Sequence, residues 1–192
     1  MPGGCGGSTT RVDPLPTHPR GSVQARRSAL LSGLLVGIGV VGFIDETVFH
    51  QLLQWHAFYW GTSQHGRVLS DGLFHAFSTA LLIWGAVRLW RDRESWTPAR
   101  WREIAAAALI GGGLFNFYDG VVQHVIFHLH LVNEKVCPHP QANNSVSTCH
   151  QEVPFEVVWI VAGASLVAAR VIWWRPLGRA ADHAPVGAKA GV

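Results

Sequence analysis

The sequence predicts an all-α fold, a four-span transmembrane helical bundle built from two repeated helix pairs, on three observations. The 192 residues fit one domain, and 48% are hydrophobic against only 14% charged, where soluble domains carry about 25% charged residues. Four apolar runs account for this bias, Ser28 to Phe49, Gly72 to Trp90, Ile104 to Phe127 and Pro154 to Trp174, inside helical spans expected at about residues 28–56, 71–90, 103–130 and 153–174. Each run is near the roughly 20 residues that cross a hydrocarbon core, and polar tails and loops dilute them to a mean hydropathy of +0.20. The third observation is an internal repeat. Gly39, Phe43, Asp45, His50 and His56 recur as Gly113, Phe117, Asp119, His124 and His130 at one constant offset of 74 residues.

Residues 1–27 are rich in Gly, Pro, Ser, Thr and Arg and read as a disordered cytoplasmic tail. No apolar run precedes Cys5 or Arg26-Arg27, so span one has the setting of a signal anchor. It is expected to begin at Ser28 as an N-cap and to continue as helix to about His56. Gly33 and Gly37 lie four apart on one face, the spacing that lets membrane helices approach closely. Trp55, Phe58, Tyr59 and Trp60 form an interfacial aromatic belt.

Ser70 is expected to cap span two, in which Asp71, His75 and Ser78 share one helical stripe. Residues 91–102 read as a solvated connector. Span three brings Ala105 to Ala108 and Gly111 to Gly113, small residues suited to tight packing, before the second copy of the motif. Span four opens with Pro154 in its first turn, where the missing N–H costs little, and places Glu152, Glu156, Trp159 and Gly163 on one stripe. Phe74-His75 and Phe155-Glu156 stand at comparable places, which extends the repeat to whole helix pairs. Residues 176–192 form a second cytoplasmic tail.

The net charge of +3 is not a nucleic-acid patch, because the basic residues flank the spans. Arg26, Arg27, Arg88, Arg91, Arg93, Arg100, Arg102, Arg170, Arg175, Arg179 and Lys189 fall on one side, against Arg67 and Lys135 on the other. The positive-inside rule then places both termini in the cytoplasm, with the histidine-bearing ends outward. The bilayer is the expected partner, with a second membrane protein or a second copy beside it. Cys137 and Cys149 lie in the second outward loop, where a disulfide is expected, the alternative being a thiophilic metal site with His139 and His150. His18, His65 and His183 read as solvated.

On a regular helix Asp45 and His56 point the same way but stand roughly 16 Å apart along the axis. The site must therefore draw on several helices. The candidate ligand set is Asp45, His50, His56, Asp71, His75, Asp119, His124, His128, His130 and Glu156. An acid near the membrane centre costs at least about 2.5 kcal/mol, so such residues mark function by default. Imidazole with carboxylate suits a divalent transition metal such as copper, zinc or iron. Any one histidine alone would more simply be an interfacial hydrogen-bonding group, and it is the duplicated pattern that points to metal.

The stretches from Gly39 to His56, from Asp71 to His75 and from Phe115 to His130 resemble the domain-of-unknown-function 2243 family of predicted membrane proteins, over about residues 33–174. The resemblance implies four spans in a bacterial inner (cell) membrane. It also implies a setting among cytochrome oxidase assembly functions, hence metal handling or respiratory-enzyme maturation. The chain has Asp45-Glu46 where the family usually has Asp-Gly, Ala57 where a second His commonly follows, and a longer cysteine-bearing loop.

Three readings compete with metal handling. One is a metal-dependent membrane hydrolase using Asp45 or Asp119 as general base, although the chain has no HExxH and no Ser or Cys nucleophile motif. Another is a haem-binding redox protein with His50 and His124 as axial ligands. The third is a non-catalytic structural or interaction protein, in which the histidines form a polar network.

Overall fold

The computed structural model describes residues 19–137, 145 and 147–181. The expectations for residues 1–18 and 182–192 and for His139 lie outside the described residues. Four long helices make the fold: α1 (Pro19–Asp45), α2 (Gln64–Asp92), α3 (Pro98–Tyr118) and α4 (Val153–Ala181). α1 and α3 run on into π-helical segments, Glu46–Leu52 and Asp119–Ile126. Four helical stretches are long and apolar enough to cross a membrane: Val23–Leu52, Gln64–Ser95, Pro98–Ile126 and His150–Arg170. The described residues contain no strand.

Three helix starts differ from expectation: α3 begins at Pro98, within the expected connector, not at about 103, and the other two differ for one physical reason. α1 begins at Pro19, not Ser28, and so takes residues 19–27 out of the expected disordered tail. Arg26 is held there by an ion pair to Glu103 (3.3 Å), while Ser28 donates from the helix interior to Asp92 (2.7 Å). α2 begins at Gln64 and is capped by Ser63, which accepts from the Gly66 N–H. Its extra turn is secured by Arg67, buried over the Trp60 ring at 3.9 Å and donating from Nε to the Trp60 carbonyl. In both cases tertiary contacts extend a helix into polar sequence that periodicity leaves out. Thr97 and Pro98 start α3 as cap and first turn.

α1 and α3 form the central pair, with α2 packed on α1 and α4 packed on α3. The apolar windows of the first and third spans are 44% and 50% buried, those of the second and fourth 17%, so the outer pair gives most of its surface to lipid. Small residues permit the central contact: a methyl group added at Gly37 would strike the Ala108 backbone, and one at Gly33 the Ile104 carbonyl. At the end where α1 and α3 finish and α2 and α4 begin, the two connections fold over the bundle. Cys137 and Cys149 are disulfide-bonded there (Cα–Cα 5.4 Å) and pack with buried Leu131, which removes both thiols as metal ligands.

Candidate metal centre

The site begins with a change of helical pitch. On an α-helix, residues five apart diverge by roughly 140°. A π turn closes i→i+5 hydrogen bonds instead, which stacks position 50 over 45 and position 124 over 119. The sequence spacing Asp-x4-His is thus a π-helical ligand spacing. Each π segment ends in a reversal at a non-glycine residue with positive φ, Gln54 (53°) and His128 (51°), again 74 residues apart. The backbone closes both reversals alike: Leu53 and Trp55 N–H donate to the Val48 and Phe49 carbonyls, Phe127 and Leu129 N–H to those of Val122 and Gln123. His56 and His130 are therefore not further along the helix. They are folded back onto it.

The two connections also exchange contacts. His56 Nδ1 bonds the Val132 carbonyl (2.7 Å) and His130 Nδ1 the Phe58 carbonyl (2.9 Å). Trp60 N–H donates to Leu129 and Glu134 N–H to Trp55, both at 3.0 Å. Each of these pairs maps onto the other at the 74-residue offset. The four imidazoles meet as a cluster. Ring centroids are 4.3 Å apart for His50 and His56, 4.5 Å for His124 and His130, and 4.6 Å for the stacked His56 and His130.

Every histidine of the cluster has its Nδ1 committed. His50 Nδ1 sits 3.0 Å from Asp71 and 3.2 Å from Glu46, and His124 Nδ1 3.0 Å from Glu156. His56 and His130 are held by the carbonyls already described. All four Nε2 atoms are buried and lack a hydrogen-bond partner. They face the aspartate of their own copy: His50 and His56 lie 3.6 and 3.8 Å from Asp45, His124 and His130 lie 3.1 and 3.7 Å from Asp119. Asp45, His50 and His56 thus converge as one group that could hold a metal ion, Asp119, His124 and His130 as a second, and Glu46, His50 and Asp71 as a third.

Of the ten expected residues, eight meet in this constellation, with Asp71 and Glu156 orienting His50 and His124. The contacts match Asp71 with Glu156, since these also accept from the Phe58 and Val132 N–H groups, so the pairing of His75 with Glu156 is not the one they follow. His75 stands apart against Phe43 (5.2 Å). His128 is the exposed pivot of the second reversal, its Nδ1 on the His124 carbonyl. Residues outside the expected set also contribute. Gln123 and the Trp159 indole donate to Asp119 (2.8 and 3.1 Å), and Glu152 accepts from the N–H groups of Asn133 and Glu156. Glu152 and Trp159 share the predicted stripe of α4, but nothing in the sequence marks the backbone carbonyls of Phe58 and Val132.

Beyond the spans, burial pushes His56 well below the usual histidine range, helped by His50, His130 and His124 around it and opposed by the Val132 bond. Burial likewise lowers His130, with His124 adding to the effect. Both imidazoles are kept neutral, the form that ligates metal. A polar cleft of about 610 Å³ reaches His50, His56 and Asp71 between Gln51, Gln54, Gln64, Arg67 and Lys135. A family model described as a predicted membrane protein of domain-of-unknown-function 2243 matches residues 32–176. No curated protein and no solved structure matches the chain.

Proposed function

The chain belongs to the domain-of-unknown-function 2243 family of predicted membrane proteins, and on that premise we propose that it binds a divalent transition metal in this His/carboxylate constellation. The centre lies at the outward end of the bundle and serves metal handling or respiratory-enzyme maturation. One observation carries the reading: four buried Nε2 atoms make no well-formed hydrogen bond, each facing only an aspartate oxygen at 3.1–3.8 Å, while every Nδ1 is fixed from behind. A protein carboxylate or carbonyl on one ring nitrogen is the usual way a ligating histidine is aimed by the other.

The distances discriminate further. Two ligands each about 2.1 Å from a tetrahedral ion stand about 3.4 Å apart. The four Nε2–carboxylate separations scatter from 3.1 to 3.8 Å around that value, and three of them are longer than an ordinary hydrogen bond. Charge points the same way. Asp45, Glu46, Asp119 and Glu156 are buried, and their ion pairs among the described residues are to histidines alone. Buried carboxylates need compensating positive charge. Nitrogen and oxygen donors without thiolate or thioether suit zinc, iron or copper(II). The bridged cysteines and the positive-inside distribution support the outward orientation.

Haem fits less well, since His56 and His130 fill the space beside His50 and His124 where a macrocycle would have to stand. The rival reading is a polar network in which His50 and His124 are imidazolium ions between carboxylates. Elemental analysis of detergent-purified protein decides between them. Stoichiometric metal in the wild type, lost in a folded His50→Ala/His124→Ala variant, is the expected result; unchanged metal in that variant or none in the wild type overturns the proposal.

A further inference from the structure

The ligand atoms fall into two groups of like composition, Asp45 with His50 and His56 and Asp119 with His124 and His130, each within 4.8 Å. The surroundings of the two groups are not alike. His50 and His56 line the 610 Å³ polar cleft, together with Asp71, Arg67 and Lys135. No member of the second group lines that cleft. The aspartates differ too: Asp45 Oδ1 is buried without a hydrogen-bond partner, whereas both oxygens of Asp119 are occupied, Oδ1 by Gln123 and Oδ2 by the Trp159 indole. At the position of Gln123 the first copy has Phe49, which packs edge-on to Trp159 at 5.1 Å and offers no donor. One half opens on the cleft and has an under-satisfied aspartate; the other is shut off from the cleft and has its aspartate braced.

We propose that the constellation is a two-ion centre with unequal halves. The Asp45/His50/His56 ion exchanges with solvent and takes a small anionic oxygen or nitrogen donor from the cleft, while the Asp119/His124/His130 ion, shut off from the cleft, exchanges slowly and takes no anion from it. This rests on the metal reading and adds stoichiometry, asymmetry and ligand class to it. Three protein ligands with an open position are the arrangement of reactive metal sites. The cations Arg67 and Lys135 on the cleft wall outnumber the carboxylate of Asp71 there, which favours an anion.

Cobalt(II) titration of the full-length protein in nanodiscs, followed by visible absorption and then by azide addition, tests the inference. Two cobalt ions per chain are expected, with azide altering one of two spectral components. His50→Ala/His56→Ala should retain one cobalt and lose the azide response; His124→Ala/His130→Ala should retain one cobalt that still responds. Should either variant fail to fold by gel filtration, chelator kinetics on wild type decide: external EDTA should remove one equivalent at least tenfold faster than the other. A single cobalt per chain overturns the two-ion inference and leaves the metal reading standing, and no cobalt overturns both. Azide acting on both components or on neither, or equal extraction rates, overturns the asymmetry.

Discussion

At His124 the imidazole is aimed by Glu156, 3.0 Å from Nδ1, and that carboxylate also accepts from the Val132 N–H. Loss of such an orienting group typically weakens a metal site about 10–100-fold. Glu156→Ala should therefore retain the fold yet reduce metal affinity by about that factor, measured by competition with a chromogenic chelator; unchanged affinity would remove Glu156 from the site. Gln54 tests the reversal itself. Its positive φ is costly for any side chain and worst for a β-branched one. Gln54→Val should destabilise by about 1–2 kcal/mol, whereas Gln54→Gly should be neutral or better in thermal unfolding. The reverse ranking would mean that φ at this position does not matter. Asp45, His50 and their second copies were legible because the repeat displays them. The positive φ was not, since Gln54 is not of a residue type that signals it and a lone histidine at 128 signals it only weakly.

At the scale of elements, the spans follow from apolar length, and Gly33 and Gly37 from their spacing. The helix starts do not, because an Arg26–Glu103 pair and an Arg67–Trp60 stack decide them. The π segments are the larger omission. A wheel drawn at 100° per residue separates Asp45 from His50 and sends His56 far along the axis, while the π turn and reversal bring all three together. Five-residue spacing of ligand types, twice, was the available signal. Gly37→Leu should push α1 off α3 and destabilise by about 1–3 kcal/mol, and stability equal to wild type would contradict the close packing. Cys137→Ser/Cys149→Ser should cost about 2–4 kcal/mol in non-reducing thermal unfolding, with no change once the wild type is reduced.

Across the whole molecule, two lipid-facing helices flank a central pair whose ends and connections carry the chemistry. Contacts between the two connections recur at the repeat offset: His56 to Val132 answers His130 to Phe58, and Trp60 to Leu129 answers Glu134 to Trp55. Such exchange makes each half depend on the other for aiming its ligands, so neither helix pair should assemble a site alone. Departures from that symmetry, Phe49 for Gln123 and Glu46 for Gly120, fall beside the candidate ligands and make the surroundings of the two halves chemically unlike. The central claim is that imidazole and carboxylate, not cysteine, hold a transition metal here. X-ray absorption at the metal edge of the protein as isolated tests it most directly. The account predicts nitrogen and oxygen neighbours at about 2.0–2.2 Å with imidazole outer-shell scattering. A sulfur shell at about 2.3 Å, or no metal edge at all, would contradict it.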